Sequence, residues 1–228
     1  RSVGSYGCFL AASIFSAIAL ISIYFVDVSA QDPVNHETKS ENSFSGIEKI
    51  IELSAVPVSL FTGLTALGYI SILSFNRLYA SEVNLTAAFS WFFIIYSVVL
   101  ILSRPIAGKI QDNGGDLIVC VVGIIAQAVG LFLIAFCPST WTVVICAICA
   151  ALGFGTLNSA CTTIVTRNIS EQRRSYAVST FFIFCDATMG FGPALLGVFA
   201  SNGYAPVYYI SSLITLLALP ICLYALRK

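Results

Sequence analysis

Long apolar stretches alternate with short polar turns along this chain. Seven windows are apolar over about 20 residues, the length that crosses a bilayer as a helix. They run Tyr6–Val26, Leu53–Phe75, Leu85–Ser103, Leu117–Phe136, Trp141–Val165, Tyr176–Ala200 and Val207–Leu226. The fourth and fifth belong to one uncharged run from Leu117 to Thr166. At about 50 residues that run is too long for a single span, and Cys137-Pro138-Ser139-Thr140 supplies the break. The segment from Ser201 to Pro206 parts the last two windows in the same way. One connection is long and polar, Asp27–Glu52, and reads as a flexible linker. It ends in Ser45-Gly46-Ile47-Glu48, a capping-box pattern that predicts a surface turn ahead of the second span. The other connections are short, so neighbouring helices run antiparallel.

Composition agrees with this pattern. Hydrophobic residues make up 58% of the 228 and charged residues only 10%, with a mean hydropathy of +0.92. A soluble domain carries about 25% charged residues. In lipid each backbone polar group must be paired within its own segment, so the expectation is an all-α polytopic membrane protein. The formal net charge of zero gives no electrostatic pull toward nucleic acid. The distribution of charge is more informative. Alternating the loops puts Lys39, Lys49, Arg104, Lys109, Arg167, Arg173, Arg174, Arg227 and Lys228 on one side, and only Arg1 and Arg77 on the other. The positive-inside rule makes the first side cytoplasmic, so the C-terminus is expected inside and the start outside. A chain that starts outside, without Met, is expected to follow earlier helices. Cys8, Cys120, Cys137, Cys146, Cys149, Cys161, Cys185 and Cys222 fall within or at the ends of apolar windows, where free Cys packs as a small hydrophobe. Cys146-x-x-Cys149 has no second pair, and the only His, His36, lies in the linker, so neither a metal nor another cofactor is expected.

Helix contact in lipid depends on small residues. Gly153-Phe154-Gly155 and the series Gly190, Gly192, Pro193 and Gly197 fit that demand, and Pro193 also removes one backbone donor. Between the third and fourth windows the chain reads Arg104-Pro105, then Gly108-x-x-x-Asp112-x-x-Gly115. Asn113-Gly114 within it is a turn dipeptide. Asp116 is placed to cap the fourth span, and Asp112 to accept from Arg104 or from a neighbouring helix N-terminus.

That turn resembles the cytoplasmic signature loop of the major facilitator superfamily, with Asn113 and Asp116 standing where basic residues are usual. The departures suit the second copy of the loop, between helices eight and nine of that family. The resemblance then implies an MFS-type bundle in which these spans are helices six to twelve. Residues 1–26 would be helix six, 27–49 the central cytoplasmic linker and 50–228 the C-terminal six-helix bundle. The stretch from Gly153 to Gly197 is similar to helices ten and eleven of bacterial drug and metabolite exporters. In this setting Arg104, Gly108, Asp112 and Gly115 form a conformational signature loop. A contact made by Asp112 in one state only would bias a rocking equilibrium.

Asp186 is the acidic residue deep within a span, about 16 Å into the sixth window at 1.5 Å per residue. A carboxylate there costs about 2.5–3.5 kcal/mol on insertion scales and should face a wet cavity or a partner. It is the candidate for proton coupling, with a structural tie between two helices as its alternative. Tyr69 and Asn158 are cavity candidates, because the family's helices seven and ten line its central path. Gln127 is read as structural. The chain is expected to be a secondary transporter, not an enzyme. It would move a small, amphipathic molecule across the cell membrane by alternating access, as proton-coupled efflux. Its partners would then be that solute, protons and the lipid bilayer. The alternatives are an uptake carrier of the same family and a seven-helix receptor or sensor.

Overall fold

The structure, a computed structural model, describes residues 2–24, 51–167 and 169–227. The linker 27–49 and the capping box Ser45–Glu48 lie outside the described residues. The chain divides into two units, residues 1–44 and 45–228. In the first, helix α1 spans Ser2–Tyr24.

The second unit contains α2 (Val56–Glu82), α3 (Thr86–Asp112), α4 (Asp116–Phe136), α5 (Thr140–Ala150), α6 (Thr156–Arg167), α7 (Glu171–Gly197) and α8 (Ala205–Leu226). A π-helical turn, Ala151–Gly155, joins α5 to α6. Taken with that turn, α5 and α6 make one stretch, so among the described residues six helices of this unit are long and apolar enough to cross a membrane. The turns between them follow local chemistry. Asn84 adopts a positive φ of 57° between α2 and α3, a conformation Asn tolerates better than most residues. Ser139 caps α5 by accepting from the Thr142 amide at 3.3 Å, and the Thr142 hydroxyl accepts in return from the Ser139 amide at 2.8 Å. Gly203, at φ 114°, turns the chain into α8, whose first turn carries Pro206.

One expectation needs correction. The charged segment after Ser103 is helix, not turn: α3 continues through Pro105 to Asp112, and only Asn113–Gly115 bends. Ser103 and Gln111 are buried while Arg104, Lys109 and Asp112 are exposed. This is the one-sided pattern of a surface helix. Ile106, Ala107 and Ile110 line an apolar groove against Ile118, Val119 and Val122 of α4.

Helix α8 packs on α2 and α4, α7 packs on α2, and α3 packs on α5. One core cluster collects Phe61, Ile124, Leu157 and Phe181 with Cys120, Cys161, Cys185 and Cys222. A second gathers Ile72, Tyr79, Phe92, Leu131, Val143, Cys146 and Tyr208. Among the cysteines with described side chains none forms a disulfide; Cys120 and Cys161 lie with sulfurs 4.0 Å apart.

Two tyrosines in the second cluster make opposite contributions. The Tyr79 hydroxyl donates to the Ile134 carbonyl at 2.8 Å. The Tyr208 ring lies against the Tyr79 ring at 4.9 Å between centroids, and its buried hydroxyl has no hydrogen-bond partner among the described residues. A buried hydroxyl left unpaired costs about 1–3 kcal/mol. Tyr208→Phe is therefore expected to hold or raise the unfolding temperature in lipid nanodiscs, and Tyr79→Phe to lower it. Equal losses in the two variants would mean that Tyr208 has a partner.

Candidate functional site

The expected site residues fall on three levels of the second unit. At the end carrying Glu52, Arg167 and Arg173, helix termini are tied by carboxylates. Asp116 does not cap α4, whose N-cap is Gly115; it is the first helical residue and sits in the first turn. Its carboxylate accepts from Arg167 at 2.6 Å and 3.3 Å and from Gln111 Nε2 at 3.0 Å. Gln111 Nε2 also reaches the Ala160 carbonyl at 3.3 Å. The ends of α3, α4 and α6 are thus joined through Asp116. Asp112 takes no part: it is exposed and forms no ion pair among the described residues. Arg104 lies eight residues back on the same helix, about 12 Å along its axis, too far to pair with it. Of the two glycines in this signature, Gly115 is the constrained one. A Cβ there would meet Ile110 Cγ2 at 2.5 Å and the Ile110 carbonyl at 2.7 Å, whereas one on Gly108 would meet nothing within 4 Å.

Glu52 makes a second tie at this level. Its amide donates to the Thr180 hydroxyl at 2.9 Å, and its half-buried carboxylate pairs with Arg173, so the start of α2 is fixed to α7. Burial pushes the Glu52 carboxyl upward, but hydrogen bonds from Arg173 and Ser54 and the Arg173 charge outweigh it and hold the pKa below the ordinary 4.5. A depressed carboxyl pKa gives stability that is complete above the unfolded value and lost as pH falls through the folded one. Acidification should therefore destabilise the wild type more than Glu52→Gln. Thermal unfolding between about pH 3 and pH 7 reads this directly; parallel curves would remove the tie from the acid response.

At mid-height the α5–α6 span is broken. Gly153 has a non-helical ψ of −115° inside the π-turn. Gln127 of α4, 1% exposed, fills the break: its Oε1 accepts from the Phe154 amide at 2.6 Å and its Nε2 donates to the Thr65 carbonyl at 2.9 Å. Phe154 stacks on Tyr69 with centroids 4.8 Å apart, and Tyr69 on Tyr96 at 5.7 Å. Tyr69 is therefore one layer of an aromatic stack joining α2, α3 and the π-turn, and it is half-buried.

Beyond the π-turn, α6 shows a polar side absent from the sequence expectations apart from Asn158. Asn158, Thr162 and Thr166 are half-buried at fourfold spacing, and Ser159 and Thr163 are exposed beside them. The hydroxyls bond carbonyls of their own helix, as Thr162 does to Asn158 at 2.7 Å and Ser159 to Thr156 at 3.0 Å. A hydroxyl satisfied in this way tolerates a poorly solvated place and keeps a lone pair for a solute.

Helix α7 buries Ala177, Thr180, Phe181, Cys185, Gly192 and Leu196. Its other side exposes Gln172, Ser175, Ser179, Asp186 and Gly190. Asp186 is the sixteenth of 27 helix residues, and no hydrogen bond or ion pair holds it among the described residues. It does not tie two helices of this unit together. Of the expected packing glycines, Gly153, Gly155 and Gly192 are in close contact: a Cβ would meet Gln127 Cβ at 2.6 Å, the Tyr96 hydroxyl at 2.8 Å and Ile70 Cγ2 at 2.8 Å in turn. Gly190 faces open space, Gly197 comes no closer than 4.0 Å to Phe75, and Pro193 is half-buried within the helix. Gly68 and Gly130 are in similarly close contact, a Cβ meeting Thr215 Oγ1 at 2.5 Å and Cys149 Cβ at 2.7 Å, and no glycine series marks them in the sequence.

Residues 58–228 fit the profile of the Major Facilitator Superfamily.

Proposed function

Because the chain belongs to the major facilitator superfamily and is a multi-pass membrane protein of a transporter family, we propose that it moves a small amphipathic solute by alternating access, exporting it in exchange for protons bound at Asp186. In this reading residues 1–26 are helix six, 27–49 the central linker and 50–228 the C-terminal bundle of a twelve-helix carrier in the cell membrane, with the C-terminus cytoplasmic. Asp186 carries the proposal. A carboxylate halfway along a membrane helix, exposed and without an ion pair among the described residues, is too costly to face hydrocarbon and belongs at a hydrated path. The hydroxyl side of α6 and the Tyr69 stack supply polar and aromatic surface for an amphipathic molecule.

The test uses the full-length carrier in proteoliposomes holding a pH-sensitive dye. Ethidium, a lipophilic cation, serves as the first probe, with neutral and anionic dyes as further arms. Solute-dependent proton movement with the cation is the expected result. Solute flux that ignores an imposed ΔpH would end the coupling reading, and flux of the anion alone would end the cationic one.

Membrane orientation is checked separately. Thiol labelling at Gln172→Cys should require permeabilised cells, and labelling at Asn202→Cys should not. The reverse pattern would overturn the orientation.

A further inference from the structure

We infer that Gln127 is a positioning residue for transport: its carboxamide maintains the π-turn and thereby sets the direction in which the polar side of α6 points. The break, a π-turn with Gly153 at a non-helical ψ of −115°, gives everything after it a different direction from that of an unbroken helix. The side bearing Asn158, Thr162 and Thr166 starts directly after that insertion. Without that break the same residues would point elsewhere.

Several observations converge on Gln127 as the holder. It bonds the Phe154 amide inside the π-turn and the Thr65 carbonyl on α2, so one side chain on α4 fixes two other segments. The backbone leaves room for it. A Cβ on Gly153 would lie 2.6 Å from Gln127 Cβ and 2.7 Å from its Oε1, and one on Gly155 would lie 2.8 Å from the Tyr96 hydroxyl. The same break places Phe154 against Tyr69. A fully buried amide whose donor and acceptor are both used is an unusual expense unless its geometry matters, because an apolar residue would pack there without needing partners. Here the geometry is the direction of α6.

This inference rests on the reading that the polar side of α6 meets the solute, and the experiment separates the two. Full-length carrier, in nanodiscs for exchange and distances and in proteoliposomes for flux, is compared with Gln127→Leu, which fills similar space without hydrogen bonds, and with Gln127→Glu. A buried carboxyl is driven to its neutral form, and a neutral carboxyl offers one acceptor and one donor, the pair that Gln127 uses. Amide hydrogen exchange at Phe154–Gly155 is expected to quicken at least about tenfold in the leucine variant, as a lost buried bond requires. The distance between spin labels at Ser159 and Ser179 should shift by about 5 Å, half a helix diameter. Both readouts should return toward wild type in Gln127→Glu, and ethidium flux should fall in the first variant and recover in the second. Should the leucine variant fail to insert, Gln127→Met carries the same test. Unchanged exchange and distance in the apolar variant would overturn the inference. A shifted distance with unaltered flux would keep Gln127 as the holder of the π-turn and instead remove the α6 side from the solute path.

Discussion

Asp186→Asn is expected to abolish ΔpH-driven transport while leaving insertion and folding intact. The substitution keeps size and most hydrogen-bonding capacity and removes only titration. Asp186 is exposed and makes no hydrogen bond or ion pair among the described residues, so no contact within the bundle is lost. A proton can shift a conformational equilibrium only by binding one state better than the other; with its binding group gone, the driving term disappears and coupled flux should fall on the order of 100-fold. Downhill solute exchange, which needs no proton, should persist. The measurement is paired: uphill flux under an imposed ΔpH, and counterflow without one, in vesicles of matched protein content. If the Asn variant still concentrates solute with ΔpH as the only driving force, the proton site lies elsewhere and Asp186 is only a polar residue of the path wall. If counterflow is lost as well, its role is in solute binding.

The spans were legible because lipid enforces a simple rule, about 20 apolar residues per helix, and because the breaks carry their own chemistry in Pro138-Ser139 and Gly203. The continuation of α3 was hidden by Pro105 and by its charges. The signal that could have found it is the fourfold spacing of Ser103, Ala107 and Gln111, which turns one polar-to-small side toward the bundle while Arg104, Lys109 and Asp112 face out. The hydroxyl side of α6 has the same fourfold spacing. It is hard to read from the sequence because Thr and Ser lower hydropathy too little to interrupt an apolar window. The Asp116–Arg167 pair spans 51 residues and the Gln127–Phe154 bond spans 27. No local pattern announces contacts between side chains so far apart. The packing glycines show the limit most directly. A Gly series within one helix was readable, but which glycine meets a neighbour depends on rotation about the helix axis and on what stands opposite.

Gly68→Ala and Gly190→Ala should therefore differ sharply. A Cβ on Gly68 would lie 2.5 Å from Thr215 Oγ1, 2.8 Å from Gln127 Nε2 and 3.0 Å from Leu131 Cδ1. None of the polar neighbours is a free end. Thr215 donates to the Ser211 carbonyl at 2.8 Å, and Gln127 donates to Thr65 at 2.9 Å. Relief of the clash must break one of these bonds or part α2 from α4 and α8. Overpacking of this kind costs about 1–3 kcal/mol, and a broken buried bond adds about 1 kcal/mol. A Cβ on Gly190 meets nothing within 4 Å, and Ala favours a helix over Gly by up to about 1 kcal/mol, so that variant should be neutral or more stable. Unfolding in mixed micelles compares the two on one scale, with a gap of at least about 2 kcal/mol expected from these costs. Equal destabilisation would mean that the Gly190 side of α7 is packed against a partner surface in the membrane, and the hydrated path assigned to Asp186, four residues away on the same side, would have to be moved.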